Sequence, residues 1–161
     1  MKKNILKNKG FMMVEIVIAT SIIAILIISM MSVVQRGISI FRQSLHTIQA
    51  SYLLEEGAEA VRILRDNEWS NISSLSVQED QNYYPTYLNN TWTLSTTPNQ
   101  IGDFTRTVTV SSVNRDPSTG DISSGGALDD GTKLIDVTVS WTEGGENKSK
   151  TLSFYISNIF L

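Results

Sequence analysis

Cysteine is absent from the 161-residue chain, which excludes disulfides, thiolate nucleophiles and Cys-bound metals. Histidine occurs once, at His46, where a packed or solvated side chain is the plain reading and no Ser/His/Asp set accompanies it. There is no glycine-rich phosphate loop and no basic patch interleaved with aromatics. These absences leave no catalytic constellation, so the chain reads as something other than an enzyme. Proline is missing before Pro85, so nothing forces a break in a helix over the first half of the chain.

Basic charge is scarce once the first ten residues are set aside. Lys2, Lys3, Lys7 and Lys9 all fall in residues 1–10, which hold no acid. Taking those four from thirteen basic residues leaves nine against sixteen acids, a net of about seven negative charges. An acidic body argues against a nucleic-acid-binding face of its own. The lysines cluster immediately before an apolar run, an arrangement that keeps the amino terminus in the cytoplasm and sends the remainder across the membrane.

What the chain has in abundance is that apolar run. Residues 16–34 are nineteen consecutive uncharged positions, interrupted only by Thr20, Ser21, Ser29 and Ser32. With residues 11–14 ahead of them, they are long enough as a helix to span a hydrocarbon core of roughly 30 Å. A soluble helix would show a polar face at every turn, and this one does not. An ordinary secretory signal peptide is the competing reading. It fits less well, because the run exceeds the usual apolar core and no small-x-small cleavage site follows it.

One carboxylate, Glu15, sits at the front of the run. An acid inside a bilayer costs on the order of 2.5–3.5 kcal/mol near the centre and less towards the interface. Either it snorkels to the headgroups, or a cation comes to meet it in an assembled state.

The residues Lys9-Gly10-Phe11 followed by Glu15 and an apolar helix resemble the processing signal of type IV pilins and type II secretion pseudopilins. The resemblance implies cleavage between Gly10 and Phe11 by a prepilin peptidase, methylation of the new amino terminus at Phe11, and a role for Glu15 in subunit assembly. It also implies other pilin or pseudopilin subunits, an inner-membrane assembly platform and membrane lipid as partners. Met12-Met13-Val14 stands where the family often has a threonine and aliphatics, and Ser32 stands about where many major pilins carry a helix-kinking proline. Cleavage creates an ammonium at Phe11, one helical turn before Glu15. In a stack of parallel helices, that ammonium in one subunit can pair with Glu15 of its neighbour and fix the axial register.

Helical periodicity continues past residue 34. Ile38, Phe41, Leu45, Ile48 and Tyr52 recur at spacings of three and four, extended by Leu53, Ala60, Val61 and Leu64, and this stripe is expected to face the domain. Arg36, Arg42, Gln43, Gln49, Glu55, Glu59 and Arg62 fall opposite. Gly37 and Gly57 each cost about 1 kcal/mol relative to alanine, so they mark a bend or close packing. Charges at helical spacing predict pairs of Glu59 with Arg62 and Arg62 with Asp66. The helix is expected to end near residues 66–67, with Trp69 closing the core.

Residues 71–100 read as an irregular connector anchored by Tyr83, Tyr84, Tyr87 and Trp92, with a short strand at 92–94. A carbohydrate platform built of these aromatics is the functional alternative. Strand signals follow at 104–110, 134–142 and 150–157, each alternating apolar and polar residues. Gly144-Gly145 suits a tight hairpin turn. Residues 114–132 form a polar loop in which Asp116, Asp121, Asp129 and Asp130 invite a calcium reading. Their spacing matches no EF-hand, and Asp and Gly are ordinary turn residues. Sequons at Asn71, Asn89 and Asn147 matter only in a glycosylating host.

The expected fold is α+β: a long helix whose first half is transmembrane and whose second half packs on a small antiparallel sheet. The divisions are a leader at 1–10, a membrane and assembly half at 11–34, an amphipathic half at 35–68 and a β-sheet domain at 69–161. The expected function is that of a minor pilin or pseudopilin in a type IV pilus-like filament. The amino terminus lies in the cytoplasm, the carboxy-terminal domain outside, and the mature subunit in a periplasmic or cell-surface filament. The alternatives are a DNA-uptake pilin and a membrane-anchored calcium- or glycan-binding module that does not polymerise.

Overall fold

The computed structural model describes residues 9–78 and 81–160, with side chains from Met12 onward. Most of the expected leader, residues 1–8, lies outside them. Helix α1 runs over Lys9–Asn67, 59 residues without interruption. The chain divides into two compact units, one up to Leu45 and one from His46 onward.

In the first unit every described side chain from Met12 to Leu45 is exposed. By length and composition, α1 carries a candidate membrane-spanning segment near the amino terminus. Its hydroxyls are suited to that solvent. Thr20 Oγ1 donates to the Ile16 carbonyl at 2.9 Å, Ser21 Oγ to Val17 at 2.6 Å and Ser32 Oγ to Ile28 at 3.0 Å. Each therefore satisfies its polar hydrogen inside the helix and brings no unpaired donor into hydrocarbon.

The second unit is the α+β body. After α1 comes a single helical turn, α2 (Ser70–Ser73), then β1 (Tyr84–Leu88) and β2 (Thr91–Ser95), which pair as an antiparallel hairpin. The main sheet is antiparallel, with order β3-β4-β5-β6: β3 (Gln100–Ile101), β4 (Phe104–Arg115), β5 (Ala127–Glu143) and β6 (Glu146–Ser157). Alternation decides which face is buried. Phe104, Val108 and Val110 of β4 and Ile135, Val137, Val139 and Trp141 of β5 join Ala50, Leu54, Ala58, Val61 and Leu64 of α1 in one core. Leu152 and Phe154 pack on it from β6, and Ile156 lies within it. Trp69 lies against the same core, as expected.

The β5–β6 hairpin closes as the sequence anticipates. Glu143 pairs with Glu146 across Gly144 (φ 60°) and Gly145 (φ 82°), two left-handed residues that suit glycine. Gly145→Val is expected to lower stability by about 1–2 kcal/mol, the cost of a side chain in that region. Thermal unfolding of the detergent-solubilised chain measures it.

Four expectations change. Within the second unit, Ile48 and Tyr52 of the apolar stripe do not pack on the sheet: Tyr52 is 73% exposed, whereas Ala50 is 0%. The sheet already presents Val137, Val139, Phe104 and Trp141, so α1 meets it with its small face of Ala50, Gly57, Ala58 and Val61. Ile48 and Tyr52 are left exposed. Part of the presumed irregular connector is the β1–β2 hairpin, turned by Asn89 (φ 52°) and Asn90 (φ 64°); asparagine tolerates this conformation better than most residues. The presumed loop 114–132 is shorter, because β4 reaches Arg115 and β5 begins at Ala127, putting Asp129 and Asp130 inside a strand. Finally, Glu59 pairs with Arg62 at 3.0 Å as expected, but Asp66 is taken by its neighbour Arg65 at 2.7 Å.

Candidate assembly site

The front of α1 brings together the residues of the expected assembly site. Gly10 and Phe11 are already helical in backbone, so Glu15 follows Phe11 by four residues, about one turn and on the same face. Glu15 is exposed and lines a shallow groove with Val14, Ile18, Ala19 and Ile22. Among the described residues it has no ion-pair partner. The arrangement offers one carboxylate in an otherwise apolar surface, suited to receive a single cation.

Beyond it, the apolar surface continues. Leu26, Met30, Val33, Ile38, Phe41 and Leu45 are all exposed, with Arg36 and Arg42 the only charges between Glu15 and Leu45. The 34 residues from Met12 to Leu45 rise about 51 Å as a helix, well beyond a hydrocarbon core of roughly 30 Å. Lipid can cover the part up to Val34. The aliphatics that follow need another apolar surface.

The aspartates are spread over separate local structures. Asp116 accepts from the backbone N–H and hydroxyl of Ser118 in its own turn, and these bonds hold its carboxyl below the usual range. Asp129 accepts from Arg115 Nε at 2.9 Å and from the Gly131 N–H at 2.9 Å. The Thr132 hydroxyl and then the Arg115 guanidinium lower its pKa. Arg115 also donates to the Gly120 carbonyl, so the guanidinium closes the turn with its charge already matched. No group of three or more His, Asp or Glu side chains converges among the described residues. The four aspartates therefore do not fit a calcium cage, which needs several converging oxygens.

Because its folded-state pKa is depressed, Asp129 stabilises the fold above its ordinary value near 3.8, and that contribution is lost as pH falls through the folded value. Asp129→Asn is thus expected to flatten the acid limb of unfolding temperature as pH falls below its ordinary carboxyl value near 3.8. The calcium reading requires a calcium-induced rise in that temperature, abolished when Asp129 and Asp130 become asparagine.

The aromatics anchor the hairpin more than they offer a platform. Tyr83 is buried, bridges Val108 and accepts the Ser76 N–H at its hydroxyl. Tyr87 leans on Trp92 at 5.1 Å and 51°, so the two rings present no common plane. Beneath Trp92 lies Arg106, 3% exposed, its guanidinium 5.6 Å from the ring. Arg106 pairs with Glu56 of α1 at 2.6 Å and donates to the carbonyls of Leu53 and Pro85, tying helix, hairpin and sheet together. Sequence reasoning missed this residue. The signal was its parity: Arg106 falls between Phe104 and Val108 on the core-facing side of β4.

His46 is half-buried, edge-on to Phe104 at 5.8 Å and 3.5 Å from Glu143. It packs at the start of the sheet-bound part of α1, in keeping with a structural histidine. Compared with known proteins, the chain matches no protein-family model, no curated protein and no solved structure.

Proposed function

We propose that the chain is a structural subunit, a minor pilin or pseudopilin, of a type IV pilus-like filament. In this reading a prepilin peptidase cuts between Gly10 and Phe11, Phe11 is methylated, and the subunit waits in the cytoplasmic membrane with its β-sheet body outside. An inner-membrane platform then assembles it with other subunits into a periplasmic or cell-surface filament. The observation that carries the reading is the exposed apolar surface of α1 from Met12 to Leu45, which is longer than a bilayer core of roughly 30 Å. Other copies of the same helix supply the missing apolar cover. Glu15, isolated in that surface, then receives the Phe11 ammonium of an adjacent copy and selects one register.

The resemblance at residues 9–15 supports the same reading, and the candidate membrane-spanning helix near the amino terminus is compatible with it. The test is to shear filaments from cells and probe them for the chain with an antibody to its β-sheet body. The account expects the chain in the sheared fraction, with a membrane pool behind it. A chain found solely in the membrane, whatever the yield of filaments, is an anchored module instead.

A further inference from the structure

We propose that the β-sheet body binds a neutral sugar in the groove where the turn after β4 meets the outward face of the main sheet, beside Tyr155. The groove has a volume of about 270 Å³. Ser112, Asn114, Leu134 and Tyr155 line it from the sheet, and Ile122 and Ser124 from the turn. Leu134 and Tyr155 are partners across β5 and β6. Their neighbours Ile135 and Ile156 lie in the core, so alternation directs Leu134 and Tyr155 to the other face.

The turn is fixed as a wall. Ile122 bridges Arg115, and the Ser123 N–H donates to the Asn114 carbonyl at 3.0 Å. Arg115 donates to the Gly120 carbonyl. A Cβ at Gly126 would lie 2.3 Å from the carbonyl carbon and oxygen of Arg115, so the returning chain runs in contact with β4. The groove is therefore preformed, and filling it costs little ordering.

Its chemistry is neutral and unspent. The hydroxyls of Ser112, Ser124 and Tyr155 and the carboxamide of Asn114 make no hydrogen bond among the described residues. No charged side chain lines the groove. Asp136, the next outward position of β5, accepts from the Ser153 hydroxyl and disfavours an anion nearby, while Arg115 is matched by Asp129. Four neutral hydrogen-bonding groups around a phenol ring and two aliphatics suit a ligand with an apolar face and a hydroxylated rim. A pyranose has that form. The volume falls just below the roughly 300–1,000 Å³ of pockets for larger ligands, which leaves room for one ring. A peptide fits less well, because the groove lies on a sheet face and offers no free strand edge to extend. Thr109, Thr138 and Thr151 continue the same face along the strands, so further sugar units of a linear chain meet hydroxyls.

The test is calorimetric titration of the full chain, in a detergent without a sugar headgroup, with cellohexaose, chitohexaose and maltohexaose. At least one of the three is expected to bind saturably. Tyr155→Ala and Asn114→Ala are each expected to weaken that binding about tenfold or more, at an unchanged unfolding temperature, and Tyr155→Phe to weaken it less. Tyr87→Ala, at an exposed ring on the β1–β2 hairpin, is expected to leave it unchanged. No saturable binding of any of the three overturns the site, as does binding that survives both alanine substitutions or is lost in Tyr87→Ala. Tighter binding of polygalacturonate or of an uncharged hexapeptide overturns the neutral-sugar assignment. Each of these outcomes leaves the filament reading in place, since the site belongs to the body alone.

Discussion

Glu15→Ala is expected to leave membrane insertion and removal of residues 1–10 intact and to abolish incorporation into filaments. The insertion step improves, because an acid is removed from an apolar segment. The assembly step fails, because the Phe11 ammonium of the adjacent copy is left in an apolar contact without its counter-charge. Losing one partner of a desolvated pair typically costs about 3–5 kcal/mol, a hundredfold or more in each association equilibrium. Glu15→Gln keeps the shape and loses the charge, so it should fail almost as completely. Mature protein accumulating in the membrane fraction, with none in sheared filaments, is the expected pattern for both variants. Normal recovery of either variant from filaments removes the carboxylate from the assembly mechanism.

The second large effect belongs to the body. Gly57 faces the sheet where α1 crosses β4 and β5: a Cβ there would lie 2.8 Å from Val137 Cγ1 and 2.9 Å from Arg106 Cδ. Gly57→Leu must lift the helix or displace Arg106 from Glu56 and from the carbonyls it serves. Overpacking of this kind costs typically about 1–3 kcal/mol, and disturbing the buried guanidinium adds to it. A fall in unfolding temperature on the order of 10 °C is expected. Gly37 is the matched control, with nothing within 4 Å of its Cβ position. Gly37→Ala should be neutral or slightly stabilising, by up to about 1 kcal/mol of helix propensity. Equal losses at the two positions would show that helix entropy, and not clearance against the sheet, sets the requirement.

Gly57 also illustrates what the sequence alone could reveal. Its place in the helix, without proline or cap, marked either a bend or close packing, and only the opposing Val137 and Arg106 decide for packing. The long helix, its end at Asn67, the three main strands and the Gly144-Gly145 turn follow from local signals of periodicity, alternation and backbone preference. The buried face of α1 does not. Both of its sides carry apolar residues at spacings of three and four, and the larger ones drew the eye to the side that stays exposed. A sheet already furnished with bulky side chains selects the smaller face, a choice made between elements far apart in sequence. The same applies to Arg106, whose partners Glu56 and Pro85 are about fifty and twenty residues away.

At the site, Glu15 stood out because a charge in an apolar run is costly. The aspartates misled: four in a short stretch look like a metal loop, whereas Arg115, Thr132 and Ser118 already occupy two of them.

The central claim is that α1 becomes a filament component once its front end is freed. Intact-mass measurement of the chain recovered from sheared filaments tests it directly. The account predicts the mass of residues 11–161 plus one methyl group, the signature of a processed and methylated Phe11. A filament-borne chain whose mass still includes Lys2, Lys3, Lys7 and Lys9 would contradict it, since no ammonium would then stand at Phe11 to meet Glu15.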